Sequence, residues 1–186
     1  MMYLLDLIQS WSNSNLDLVF FVYGLAFIVM GIAITVQPKK NSNFKLADIL
    51  WLLACFAIIH GISEFLDMWA IIKGKNPSIE TAHWVILSIS YLYLFEFGRQ
   101  LFRLTAQKSY WRKAFSKLTG AWLLLSIILI IFSYFTLPVD SQKILIRYLL
   151  GFPGGLLTAL SLSLYYKDIE ETLKPLKVKK YFLWVS

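Results

Sequence analysis

The sequence predicts an all-α protein, a bundle of transmembrane helices. Hydrophobic residues make up 58% of the chain, above the roughly 45–50% that is usual in soluble domains. They also fall into long continuous runs, whereas the strands of a membrane β-barrel are shorter and alternate between apolar and polar residues. Because lipid offers the backbone no hydrogen-bond partners, each run is expected to be a helix.

Five of the apolar runs are long enough to cross a bilayer, which takes about 20 residues. The predicted spans are residues 18–36, 47–72, 81–104, 120–137 and 144–166. Residues 181–186 have the composition of a further span but are too short to form one. We therefore expect residues 1–186 to be a single transmembrane domain, with five full spans and the start of a sixth. We expect it to be an N-terminal fragment of a parent with seven or more spans.

Basic residues predict the orientation of the bundle. The net charge is +7, but the Lys and Arg residues lie between the apolar runs, which argues against nucleic-acid binding. Residues 1–17 contain neither Lys nor Arg, whereas residues 99–117 contain six basic residues and no acidic one. Because cytoplasmic loops are enriched in Lys and Arg, we expect the N-terminus outside and the first, third and fifth loops in the cytoplasm.

Four ionisable residues are the main candidates for a functional site. His60, Glu64 and Asp67 are spaced i, i+4 and i+7 on the second span and so share one helix face. His83 lies near the start of the third span, after a short turn. Ionisable groups inside a membrane are costly and are functional candidates by default. The predicted orientation places all four in the outer half of the bundle.

Three interpretations of this cluster stay open. It is a polar patch that fastens two helices together; or His60, Glu64, Asp67 and His83 bind zinc, iron or copper; or His60 and His83 are the axial ligands of a b-type haem. A difference in depth between the two histidines counts against haem. The single cysteine, Cys55, allows neither an intrachain disulfide nor a cysteine-based metal motif.

A second charged pair lies near the cytoplasmic end of the third span. Glu96 and Arg99 are spaced i, i+3, which predicts an ion pair within one helix. The alternative interpretation is a coupling element that contacts the fifth span or later helices.

Glycine and proline predict where helices approach closely or bend. Pro153 lies inside residues 151–155 of the fifth span, where its missing N–H predicts a kink. Small residues on the first span predict a helix-packing surface: Gly24, Ala26, Gly31 and Ala33.

Four segments together resemble a known class of membrane region: FVYGLAFIVMGIAI, HGISEFLDMW, LFEFGRQLF and RYLLGFPGGLL. They are similar to the N-terminal membrane region of bacterial sensor histidine kinases and diguanylate cyclases. The resemblance implies a sensory module in the bacterial inner membrane, with a cytoplasmic effector C-terminal to it. The positions that match are His60, Gly61, Glu64, Asp67, Glu96, Arg99, Arg147 and residues 151–155. Among them we expect Glu96, Arg99, Arg147 and Pro153 to couple the site to the effector.

We therefore expect a signal-input domain that responds to a ligand, a metal or a redox cofactor. The sequence contains no kinase, cyclase or nucleotide-binding motif, so an enzymatic activity of this chain is left open. A homodimer in the lipid bilayer is expected. The alternative functions are a metal-dependent membrane enzyme and a small transporter subunit.

Overall fold

The structure, a computed structural model, describes residues 10–11, 14–37, 46–74, 76–105 and 110–173, with side chains up to residue 169. No strand occurs in these ranges, and the predicted all-α class is confirmed. The helices are α1 (Leu16–Val36), α2 (Leu50–Lys73), α3 (Pro77–Thr105), α4 (Tyr110–Thr136), α5 (Val139–Ile146) and α6 (Phe152–Leu173). A five-residue π-turn, Arg147–Gly151, joins α5 to α6.

Four helices in the described part of the chain are long and apolar enough to cross a membrane. These are α1, α2, α4 and the continuous helix Val139–Ile169, which runs through α5, the π-turn and α6. They correspond to the predicted first, second, fourth and fifth spans. The predicted third span is the 29-residue helix α3, which is not among the four because polar and charged residues interrupt its apolar sequence. Length and composition thus indicate a helical membrane protein.

Helix α3 lies at the centre of the bundle and packs against α2 on one side and α6 on the other. Its side chains Leu87, Phe95 and Phe102 join one apolar core cluster, and Phe97 and Leu101 join a second. Four polar residues of α3 are also buried in the bundle: His83, Ser88, Ser90 and Thr105. The exposed apolar surface belongs mainly to α1 and α4, which carry most of the exposed large hydrophobic side chains.

Two glycines bring α1 and α2 into backbone contact. A Cβ at Gly61 would lie 2.7 Å from the carbonyl oxygen of Gly24, and a Cβ at Gly24 would lie 2.9 Å from that of Gly61. Gly31 also packs against α2, with the carbonyl oxygen of Ala54 as a near neighbour. The packing surface predicted on the first span is thus formed by its glycines. Ala26 and Ala33 are exposed because they lie on another face of α1.

A second close approach joins α3 to α6. A Cβ at Gly98 would lie 2.8 Å from Oγ1 of Thr158, and a Cβ at Gly154 would lie 3.1 Å from Cα of Phe95. The buried hydroxyl of Ser161 donates to the carbonyl oxygen of Leu157 at 2.6 Å and lies 3.2 Å from that of Gly98. Small residues at this interface allow the backbones of α3 and α6 to approach closely, so α6 covers one side of α3.

Helix α4 begins at Tyr110, well before residue 120, where the predicted span starts. Residues 110–119 mix basic and aromatic side chains, so a search for apolar runs misses this part of the helix. Phe115 nevertheless packs against Phe102 of α3, with ring centroids 5.2 Å apart. The start of α4 is thus a helical extension of the predicted span that packs against α3.

The irregularity predicted around Pro153 takes the form of a π-turn just before it. Pro153 has no N–H to donate to the carbonyl oxygen of Leu149, four residues earlier. In its place Trp122 Nε1 of α4 donates to that oxygen at 3.0 Å, and Ser126 Oγ lies 3.5 Å from it. A neighbouring helix thus supplies the hydrogen bonds that the proline removes.

Candidate functional site

The four residues of the predicted cluster lie in two pairs, the first of which is His60 with Glu64. His60 Nε2 is 3.3 Å from Glu64 Oε1, and His60 Nδ1 is 3.2 Å from Ser90 Oγ of α3. Because the Ser90 hydroxyl donates to the carbonyl oxygen of Leu87 at 2.8 Å, it accepts from His60 Nδ1–H. A hydrogen bond between His60 Nε2 and Glu64 then requires one proton, carried by either the imidazole or the carboxyl group.

Aromatic rings enclose the His60 imidazole. Phe27 of α1 contacts it edge-on at 4.7 Å between centroids, and Phe56 stacks on it at 5.2 Å. Tyr91 of α3 lies at 5.2 Å, tilted to the imidazole. His60 is only 6% exposed, so the pair with Glu64 is held between three helices and away from lipid.

The second pair is Asp67 with His83, and it includes a third member from α5. His83 Nδ1 lies 3.1 Å from Asp67 Oδ1, and Lys143 Nζ lies 3.8 Å from the same oxygen. His83 is 2% exposed. Its other ring nitrogen, Nε2, is buried without a hydrogen-bond partner in the described part of the chain. Three helices therefore meet at one carboxylate.

This second pair forms part of the wall of a cavity of about 320 Å³, which we call the junction pocket. It lies where the end of α2 and the start of α3 meet the start of α5. Its lining combines apolar and ionisable side chains: Phe20, Leu66, Asp67, Ala70, Ile71, Ile79, Glu80, His83, Asp140 and Lys143. An apolar cavity with a few convergent polar groups is the usual form of a small-molecule site.

Arg147, which the resemblance implicates in coupling, lies in the π-turn. It is close enough to interact electrostatically with His60, Glu64, Asp67 and His83. It is also close enough to interact with the side chain of Tyr91. The π-turn thus carries an exposed arginine within electrostatic range of both pairs. Its role in coupling stays a prediction.

The pairs do not converge in the manner of a metal centre. In the ranges that the structure covers, no group of three or more His, Cys, Asp or Glu residues is arranged to hold a metal ion. Both ring nitrogens of His60 and Nδ1 of His83 lie within reach of protein partners. Metal or haem ligation would have to replace those contacts. The metal and haem interpretations therefore stay sequence predictions.

The second predicted pair, Glu96 with Arg99, is an ion pair within α3. Arg99 Nε and Nη2 donate to the two carboxylate oxygens at 2.7 and 2.6 Å, and Gln100 adds a contact of 2.8 Å. These contacts join neighbouring turns of one helix, as the i, i+3 spacing predicts. A role of the pair in coupling to another helix stays a prediction.

Sequence reasoning missed Ser90 and Lys143. Ser90 lies in an apolar run of α3, where a serine carries no signal of its own. Lys143 lies just before the predicted fifth span, one helical turn before Arg147. That spacing was the available signal, because it places two cations on one face of the helix.

A comparison of the sequence with protein-family models, with curated proteins and with solved structures finds no match.

Proposed function

We propose that the chain is a membrane-embedded input domain of a bacterial signalling protein, and that a small ligand in the junction pocket is its stimulus. In this proposal the chain crosses the inner membrane five times, with its N-terminus and the pocket on the outer side. The signal passes to an effector that lies C-terminal in the cytoplasm, as the resemblance implies.

The length and position of α3 support the fifth crossing. At 1.5 Å per residue its 29 residues extend about 43 Å, which exceeds the roughly 30 Å of a bilayer core. Its polar side chains His83, Ser88, Ser90 and Thr105 are buried in the bundle, so a membrane crossing does not require them to contact lipid. Both features fit a crossing that is polar yet enclosed.

The contact between Asp67 and Lys143 is the observation that carries the proposal. It joins the pocket end of α2 to α5 through a single oxygen atom at 3.8 Å. Helix α5 continues through the π-turn into α6 as one apolar helix, Val139–Ile169. A ligand that alters this contact therefore acts directly on the helix that leads to the other side of the bundle.

The π-turn gives that helix a place to adjust. π-Turns are rare and occur frequently at functional sites. Here the turn contains Arg147, which interacts with both pairs, and Leu149, which accepts from Trp122 of α4. A change at the pocket can thus be absorbed as a change in helical winding or transmitted as a small shift of α6, of about 1–2 Å as in other helix shifts.

Distances between spin labels test the proposal without knowledge of the ligand. In a Cys55→Ser background, Trp69→Cys and Tyr166→Cys introduce labels at two exposed sites, one near the pocket and one near the far end of α6. Lys143→Met removes the cation beside Asp67. In nanodiscs we expect the mean distance to change by about 1–2 Å.

Lys113→Met is the matched control, because Lys113 is exposed on α4 and lies away from the pocket. It should leave the label distance unchanged. An unchanged distance in Lys143→Met, with the protein folded, would contradict the proposed input role.

A further inference from the structure

The junction pocket has more acidic than basic side chains in its wall. Asp67, Glu80 and Asp140 contribute carboxylates, whereas Lys143 is the one basic residue among the described lining residues. Glu80 and Asp140 also interact with other groups of the protein. Asp67 is the carboxylate at which α2, α3 and α5 meet. Its carboxylate lies between His83 and Lys143.

The Lys143 ammonium is too far from Asp67 to donate a hydrogen bond to it. At 3.8 Å it lies beyond hydrogen-bond distance, whereas a charge-assisted N–H···O bond is about 2.7–2.9 Å long. A ligand ammonium that reached the shorter distance would interact with the carboxylate more strongly than Lys143 does. Because both cations would approach the same small region, binding of the ligand would displace Lys143.

His83 is a fixed hydrogen-bond partner of the Asp67 carboxylate. A carboxylate accepts hydrogen bonds, so the proton of a neutral His83 lies on Nδ1, which faces Asp67 at 3.1 Å. A carboxylate can accept several hydrogen bonds, and His83 donates one of them. The remaining acceptor sites of Asp67 favour a ligand that donates hydrogen bonds.

The rest of the wall limits the size and the polarity of the ligand. Phe20, Leu66, Ala70, Ile71 and Ile79 contribute apolar surface. The volume of about 320 Å³ is near the lower end of the range for small-molecule sites. A compact molecule with an apolar body and one charged end fits these walls.

We infer that the junction pocket binds a small primary amine, whose ammonium group replaces that of Lys143 beside Asp67. The inference rests on the proposed function, because it names the ligand class of the same site. Displacement of Lys143 by the amine has the same consequence for α5 and α6 as the Lys143→Met substitution.

Binding of isobutylamine to the purified full chain in nanodiscs tests this inference, with isobutyrate and isobutanol as anionic and neutral probes of the same shape. We expect saturable binding of the amine alone. Asp67→Asn should weaken it by about tenfold or more, because it removes the charged partner. Asp48→Asn, a substitution of an exposed carboxylate before α2, should have no effect.

Lys143→Met gives a second measurement that does not depend on the folding of Asp67→Asn. It removes the competing cation, so the amine should bind more tightly. Equal or weaker amine binding in Lys143→Met would overturn the inference, as would preferential binding of isobutyrate or the absence of saturable amine binding.

The failure of this inference is distinguishable from the failure of the proposed function. If isobutyrate binds in the pocket and changes the distance between labels at positions 69 and 166, the inferred ligand class is wrong and the input role stands. If isobutylamine binds as expected and leaves that distance unchanged, the ligand class stands and the input role is overturned.

Discussion

Trp122 Nε1 donates a hydrogen bond to the carbonyl oxygen of Leu149 at 3.0 Å. That oxygen lies four residues before Pro153, which has no N–H to donate to it. A helix with a proline in its interior usually leaves such a carbonyl to water or to a side chain. In this bundle the partner comes from another helix, so α4 is joined to the π-turn by a directional contact as well as by packing.

Trp122→Phe should lower the free energy of unfolding by about 0.5–1.5 kcal/mol, the usual net contribution of one hydrogen bond. The ring and most of the packing are kept, so the loss reports the hydrogen bond. A denaturant titration in detergent measures the effect. Trp111→Phe is the control, because Trp111 is 80% exposed. Equal stabilities of the two variants would show that the Leu149 contact contributes nothing.

Gly61→Ala should destabilise the bundle, because the added Cβ would lie 2.7 Å from the carbonyl oxygen of Gly24. Such overpacking costs about 1–3 kcal/mol. Gly120→Ala is the same substitution at a site with no heavy atom within 4 Å. It should stabilise α4 by about 0.5–1 kcal/mol through helix propensity. The contact between α1 and α2 is refuted if both variants shift the unfolding midpoint in the same direction.

Ser90→Ala should cost about 1 kcal/mol, because it removes the buried acceptor of the His60 Nδ1–H bond. Ser163→Ala is the control, since the Ser163 hydroxyl is exposed and bonds within its own helix at 3.0 Å. In a double-mutant cycle, Ser90→Ala and His60→Ala should be non-additive. Additive effects would mean that the two side chains do not interact.

Topology reporters in two loops test the five-span arrangement. A reporter inserted between Thr105 and Tyr110 should be cytoplasmic, because residues 99–117 are rich in basic residues. A reporter at Gly74 should be external. If both reporters lie on the same side, α3 does not cross the membrane and the sequence-based orientation is wrong.

Much of the fold was predictable because a backbone in lipid must form its hydrogen bonds within the helix. Continuous apolar runs located α1 and α2 and the body of α4, with errors mainly at their ends. Residues 110–119 were not predicted as part of a span because a search for apolar runs does not detect a helix rich in basic residues. The further apolar segment expected at 181–186 lies outside the described residues.

The candidate site was only partly predictable. Helical spacing predicted that His60, Glu64 and Asp67 share one face of α2, because the spacing within one helix can be read from the sequence. It could not show that Asp67 meets Lys143, because that contact joins α2 to α5. It also could not show that Ser90 contacts His60. Spacing along one helix does not determine which residues of a neighbouring helix it meets. Contacts between helices are thus what the sequence left open.

The most direct test of the input role is a comparison of four proteins by the distance between labels at positions 69 and 166 in nanodiscs. These are the labelled parent, Asp67→Asn, Lys143→Met and the double variant. If the contact between Asp67 and Lys143 holds α5 and α6 in place, both single variants change the distance by about 1–2 Å, and the double variant adds no further change. Distances that stay at the parent value, or single changes that simply add, would contradict the account.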